Sequence, residues 1–200
     1  WLKEDKRSIN MNLEDIAKAK TKRIGKNIEY FKEIDSTHTY AKKIAMKKDS
    51  EGKLILAEEQ NSGIGTKGRK WYTGKNKNIA MTIILKPKWE INRLEGLTIK
   101  IAKCMQKTIY DLYKILLEIK EPNDLMINEK KICGILTEVN TISEKINYLL
   151  ISLGFNVNEN KFPKETEKIA TSLKKEYNKE FSREEIITKF IENLEKEIDI

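Results

Sequence analysis

The sequence predicts an α+β fold, a mixed and largely antiparallel sheet with packed helices. Three observations point there. Leu125-Met126-Ile127, the polar turn Asn128-Glu129-Lys130 and the run Ile132–Val139 read as a β-hairpin. Short apolar runs of strand length stand at Leu54–Ala57, Ile79–Leu85 and Tyr148–Phe155. Ile101, Ala102, Met105, Ile109, Leu112 and Leu116 recur at steps of three or four, which predicts one long helix from Leu97 to about Ile119. Hairpins mixed with helices fit a sheet-and-helix layer fold better than a doubly wound one.

In chain order, residues 1–28 are polar and weakly periodic, a leading or linker segment in which Leu13, Ile16 and Ala17 suggest one short helix. The packed domain is expected from residue 29 to residue 200. Tyr30, Phe31 and Ile34 read as a strand or its approach. Asp35-Ser36 then offers an N-cap to a helix with Ala41, Ile44 and Ala45 on one face. Leu54–Ala57 runs through Glu58-Glu59-Gln60 into a glycine-rich loop, and Pro87 closes the strand Ile79–Leu85. Pro122 with Asn123-Asp124 stops the long helix from continuing. Ser182 and Glu185 match a capping box, Phe181 and Ile186 stand where a hydrophobic staple would, and Ile187, Phe190, Ile191, Leu194 and Ile198 ride on the helix that follows.

Composition narrows the function. The longest apolar runs fall far short of the roughly 18 residues a membrane helix demands, so no membrane span is expected. Cys104 and Cys133, the two cysteines, lack metal or redox spacing, which suggests a reducing, cytoplasmic setting. Net charge is +8, from 39 basic and 31 acidic residues, and favours polyanions or phosphorylated substrates. Acidic residues are interleaved with the lysines, so charge alone does not specify a nucleic-acid partner.

Two segments carry chemistry. In Gln60-Asn61-Ser62-Gly63-Ile64-Gly65-Thr66-Lys67-Gly68-Arg69-Lys70-Trp71, glycines let backbone N–H groups approach an anion while Lys67, Arg69 and Lys70 add positive charge. Such a loop suits a phosphate or an acyl phosphate; on glycine spacing alone, a solvated hairpin loop fits equally well. Gly63, Gly65 and Gly68 match a dinucleotide fingerprint, but the residues after Gly68 include Gly74 and Asn76 and will not start the helix that fingerprint needs. Kinase and Walker signatures fail as well. In the second segment, Lys120-Glu121-Pro122-Asn123-Asp124, Pro122 stiffens the chain and Asn123 and Asp124 sit at the mouth of a strand. The hairpin brings Lys131 towards Asp124, an arrangement suited to neutralising phosphate and holding Mg²⁺, although a surface turn with a lysine is the commoner meaning of such a pattern.

Taken together, Asp35-Ser36-Thr37, Gln60 with Gly63 to Trp71, Lys120-x-Pro122-Asn123-Asp124, Lys130-Lys131-Ile132-x-Gly134 to Glu138, and Gly154-Phe155-Asn156 occur in an order that resembles the catalytic domain of biotin protein ligases. The resemblance covers about Tyr30 to Asn158. It implies the fold shared with class II aminoacyl-tRNA synthetases, and an ATP-dependent ligase. Such a ligase converts biotin to biotinyl-5′-AMP and passes the biotinyl group to a lysine of a carrier protein. It also implies roles for residues. Ser36, Thr37 and Gln60 match positions that bind the ureido ring, with His38, Gly63, Lys131 and Gly134 beside them. Gly65, Thr66, Lys67, Gly68, Arg69 and Trp71 match the loop over the adenylate. Lys120, Asn123 and Asn156 serve the nucleotide, and Asp124 serves Mg²⁺. Lys131, Arg69 and Asp124 are the expected catalytic set.

This chain departs from the family pattern at Ile64 and Thr66, where arginines are usual, at Glu121, where an aromatic is usual and a solvent-facing carboxylate is expected, and at His38, where asparagine is frequent. A homodimer is compatible with the resemblance, and DNA binding requires an upstream helix-turn-helix. The nearest rival is a lipoate or octanoate ligase, whose Arg-Arg-x-(Ser/Gly)-Gly-Gly run is missing here. A non-catalytic basic binding module is the other.

Overall fold

Seven extended segments pair into one sheet in the computed structural model, which describes residues 10–199. They are β1 (Ile28–Phe31), β2 (Leu54–Ala57), β3 (Ile79–Leu85), β4 (Glu118–Lys120), β5 (Asp124–Ile127), β6 (Lys130–Ile142) and β7 (Lys145–Phe155). Their spatial order is β1-β2-β3-β7-β6-β5-β4. β1 pairs with β2 in parallel and every other neighbouring pair is antiparallel. The helices are α1 (Leu13–Ala17), α2 (Thr37–Ile44), α3 (Leu97–Tyr113), α4 (Leu173–Tyr177) and α5 (Arg183–Glu197). The mixed, largely antiparallel α+β class is the one expected.

Period-two alternation gives the sheet two unlike faces. Leu54, Leu56, Met81, Ile83, Ile151 and Leu153 join a large core with Ile101, Met105 and Ile109 of α3 and Phe190 and Leu194 of α5. Ile55, Ile84, Tyr148 and Leu150 form a smaller cluster with Ala41, Ile44 and Ala45 of α2. Along that second face β7 reads Tyr148, Leu150, Ser152, Gly154, tapering from an aromatic ring to no side chain. The taper leaves room at the N-terminal end of α2. The β5–β6 turn places Asn128 and Glu129 at φ 49° and 63°, the left-handed pair a two-residue hairpin demands.

The long helix ends earlier than its apolar spacing predicts. α3 stops at Tyr113, where Lys114 turns left-handed (φ 59°) and donates its N–H to the Tyr110 carbonyl. Ile115 and Leu117 are buried while Leu116 is 68% exposed, and Ile119 lies in β4. Steps of three and four through Leu112, Leu116 and Ile119 imitate a helix where the burial pattern has already become that of a strand. The α5 cap forms by half. Ser182 Oγ accepts from the Glu185 N–H at 3.1 Å, but the Glu185 carboxylate accepts from Tyr113 Oη at 2.9 Å rather than returning to the cap.

The leading segment places Met11, Ile16, Ala19 and Ile24 in the large core, and α1 lies against α5. Buried Glu58 accepts from the Met11 N–H (2.7 Å) and Tyr30 Oη (2.8 Å) and pairs with Arg183 at 2.5 Å. Among the described residues no helix is long and apolar enough to cross a membrane. Both cysteines are unpaired and buried, and burial pushes the Cys104 thiol up to about 12.

Candidate active site

Two hollows adjoin on the α2 face, with Gly65, Thr66, Trp71 and Lys131 walling both. The tighter, about 30 Å³, is lined by Ser36, Thr37, His38, Gln60, Ser152 and the glycines 134 and 154. The wider, about 430 Å³, is lined by Arg69, Lys70, Lys120, Asp124 and Asn156, with Phe162, Thr166, Ile169 and Ala170 on its outer wall.

The tight hollow is hydroxyl-rich because α2 begins there and the taper of β7 ends there. Ser36 caps α2, its Oγ accepting the Thr39 N–H at 3.2 Å. Thr37 donates from its backbone (2.9 Å) and its hydroxyl (3.2 Å) to Gln60 Oε1, and Gln60 Nε2 donates to Thr73 at 3.2 Å. His38 is buried, with Nδ1 2.7 Å from Ser152 Oγ and Nε2 2.7 Å from Glu138. Lys42 holds the other Glu138 oxygen at 2.7 Å and, as the foremost cause, draws that carboxyl below its ordinary range. Ser36, Thr37, His38, Gln60 and Gly134 thus meet as the sequence reading grouped them. Thr82 and Ser152 were missed; the available signal was a hydroxyl inside each of two otherwise apolar buried strands.

The glycine loop folds back on itself as a narrow flap. Gly65 N–H donates to the Arg69 carbonyl (2.7 Å) and Trp71 N–H to the Gly63 carbonyl (2.8 Å). A tight turn at Thr66–Gly68 returns to extended chain, so no helix begins at Gly68, as the failed dinucleotide fingerprint predicts. The Trp71 indole lies across Gly134 and Gly154, which face each other on β6 and β7. A Cβ at Gly154 would fall 2.1 Å from Trp71 Nε1, and one at Gly134 3.0 Å from the ring. The indole N–H is buried without an acceptor. Lys131 Nζ stands 5.3 Å from the centre of that ring and 2.7 Å from Asp124 Oδ1. Glycine loop, lysine and aspartate therefore converge at one point.

Other expected residues are placed differently. Gly63 is buried under the Trp71 carbonyl and, like Lys67 and Gly68, lines neither hollow. Asn123, expected on the nucleotide side, lines the tight hollow instead, because its Nδ2 donates to the Ile135 carbonyl at 3.0 Å. Asn156 lines the wide hollow, where its Oδ1 is buried without a partner. Glu121 is exposed, as expected. Sequence reading missed the segment 159–171 altogether. It is pinned to β6 by the Lys131 N–H donating to the Ile169 carbonyl (2.8 Å) and the Thr171 N–H to the Lys131 carbonyl (3.0 Å). Among the described residues no three His, Cys, Asp or Glu side chains cluster as a metal site.

Fold and paired hollows define an α+β domain with two adjoining compartments on one face of its sheet. Comparison with known proteins narrows the class. Residues 30–156 match the model of the Biotin/lipoate A/B protein ligase family. The bifunctional ligase/repressor BirA of Bacillus subtilis is 32% identical over 179 residues, covering 88% of this chain and 55% of that protein. A biotin–acetyl-CoA-carboxylase ligase of Paracoccus denitrificans is 30% identical over 132 residues, 62% of this chain and 51% of that one. The structure of the Aquifex aeolicus biotin protein ligase in complex with biotin and ATP superposes with a TM-score of 0.75 at 28% identity, over 87% of this chain and 71% of that one. The chain belongs to the Biotin/lipoate A/B protein ligase family. It spans about half the length of the curated relatives it matches.

Proposed function

We propose that this domain activates biotin with MgATP as biotinyl-5′-adenylate and transfers the biotinyl group to a lysine of a biotin carrier protein. The observation that carries the reading is the Lys131 ammonium, placed where the two hollows meet, beside Trp71 of the glycine loop and paired with Asp124. Ser36, Thr37 and Gln60 present the donors and acceptors a ureido ring requires, and a valeryl chain of four methylenes adds roughly 3 kcal/mol on burial. Trp71 lies across the Gly134–Gly154 pair and walls the tight hollow, so the indole forms part of the surface biotin meets.

The carboxylate oxygen of biotin attacks the α-phosphorus of ATP; that phosphorus loses its bond to the oxygen bridging the β-phosphate, and pyrophosphate leaves. Fixed positive charge at Lys131 and Arg69 offsets the negative charge that accumulates there. Ile64 and Thr66 supply none, and Lys67 stands off the site, so Lys70 and Lys120 complete the cationic wall. Magnesium arriving with ATP takes most of its ligands from phosphate and water, so Asp124 as a single carboxylate suffices. In the second half-reaction the carrier's lysine amine attacks the acyl carbon and AMP departs. Asn156, which lines the wide hollow and whose amide oxygen has no protein partner, is an acceptor for the nucleotide.

Biotin-dependent release of pyrophosphate from MgATP tests the proposal. Release with lipoate but not biotin transfers the assignment to the rival ligase, and release with neither acid removes the enzymatic reading.

A further inference from the structure

A row of polar contacts runs unbroken from Gln60 to Glu138. Gln60 Oε1, Thr37 Oγ1, Thr82 Oγ1, Ser152 Oγ and His38 Nδ1 succeed one another at 3.2, 3.0, 2.7 and 2.7 Å, and His38 Nε2 meets Glu138 at 2.7 Å. Thr37, Thr82, Ser152 and His38 are all buried. Each hydroxyl has one proton to give, and both ends of the row are acceptors.

The direction of every bond follows. The Thr37 backbone N–H can only donate, so the atom it meets on Gln60 at 2.9 Å is the amide oxygen. That oxygen accepts the Thr37 hydroxyl proton as well. Thr82 then donates to Thr37, and Ser152 to Thr82. Ser152 has nothing left for His38, so Nδ1 donates to it. At the other end Glu138, ionised beside Lys42, accepts from Nε2.

We infer that His38 is a positioning residue that donates from both ring nitrogens. It thereby fixes the polarity of the hydroxyl row and, through the row, holds Thr37 and Gln60 in the arrangement that receives the ureido ring. The inference rests on the biotin reading for the identity of the ligand. Without the Nδ1 proton, Ser152 turns to the ring, Thr82 to Ser152 and Thr37 to Thr82. Lone pairs of Thr37 and Gln60 then face each other at the mouth of the hollow. Glu138 of β6 meets the ring and Lys42 of α2 meets Glu138; Tyr148 of β7 acts on Lys42, Lys131 of β6 lines the same hollow, and β3 contributes the neutral Thr82 to the row.

His38 is the one histidine of the chain, so its ring ¹⁵N signals are unambiguous. They are recorded on the ligand-free domain across a pH series, and biotin affinity is measured by calorimetry at each point. The expected result is two protonated ring nitrogens where affinity is full, and affinity falling about 3–10-fold in step with loss of the Nδ1 proton. Ser152→Ala, which cuts the row but leaves the His38–Glu138 contact, flattens that pH dependence while the ring still titrates. His38→Gln flattens it too. An unprotonated Nδ1 at full affinity, affinity that ignores the ring's titration, or wild-type pH dependence in Ser152→Ala overturns the inference. Absence of biotin binding at every pH, with a doubly protonated ring whose signals shift in Ser152→Ala, sinks the biotin reading and leaves the hydroxyl row standing.

Discussion

The tight hollow is floored by the central strands β3, β7 and β6, and its hydroxyls hold one another in a row; the wide hollow is walled outward by irregular chain, residues 159–171, and besides the Lys131–Asp124 pair it includes Asn156, whose amide oxygen has no partner. Ser152 and Thr82 are spent within the protein, whereas Asn156 keeps an oxygen with no partner. On the proposed reading, the difference teaches how one domain would handle two ligands. A compartment that must reject near-relatives is pre-organised, because a competitor leaves buried donors and acceptors unpaired at a cost of about 1–3 kcal/mol each. The compartment that would release product on this reading has strand residues on its inner side and irregular chain only on its outer wall.

The substitution with the largest expected effect strikes the residue both compartments share. Lys131→Ala should lower the rate of biotin-dependent pyrophosphate release about 10²–10³-fold. Calorimetric biotin affinity should stay close to wild type, and an equal loss of affinity would mean that Lys131 binds rather than activates. Gly154→Ala strikes the tight hollow first, through the Trp71 indole that walls it. Its Cβ would fall 2.1 Å from the Trp71 indole nitrogen, so the flap cannot seat. Overpacking of this kind costs about 1–3 kcal/mol, which should weaken biotin roughly ten-fold or more and alter tryptophan emission. Phe162→Ala strikes the wide hollow, and the KM for ATP should rise about five-fold from lost apolar cover, with biotin affinity unchanged. A shift in both ligands would blur the division.

The smallest effect concerns acid. Glu138 is held below its ordinary 4.5 first by Lys42 and then, against the opposing pull of burial, by His38. The folded chain therefore binds this proton less readily than the unfolded one. The stability it contributes is complete above about pH 4.5 and is lost as pH falls through the lower folded value. With a third of the side chain exposed, screening limits the contribution to about 0.5 kcal/mol. Glu138→Gln should flatten the acid limb of a melting-temperature profile by a degree or two, on the order expected for that energy.

Much of this was legible in the sequence, and the failures have physical causes. The hairpin from Leu125 to Val139 announced itself because a polar turn interrupts an apolar alternation at the spacing two strands need. The glycine loop and Lys131 were found as chemistry-bearing residues, and the fold supplied their meeting point. That Asn123 lines the tight hollow was not legible, because a turn residue's direction depends on the strand it bonds across to, here through Ile135. Phe162, Thr166, Ile169 and Ala170 left no trace, since irregular chain has no period to read. Thr82 and Ser152 lay in plain view but drew no notice, each a single hydroxyl inside a run that reads as core.

The knot at Glu58 bears on how the domain can be trimmed. That carboxylate stands two residues before Gln60 and takes a proton donor from Met11. Excision at residue 28 would strip away Met11 together with the buried Ile16 and Ile24, unroof the flank of α5 they cover, and leave a partly stripped anion two residues from Gln60 of the tight hollow. A shortened version cut at that boundary is thus a damaged protein, and inactivity in it would say nothing about the residues proposed as catalytic.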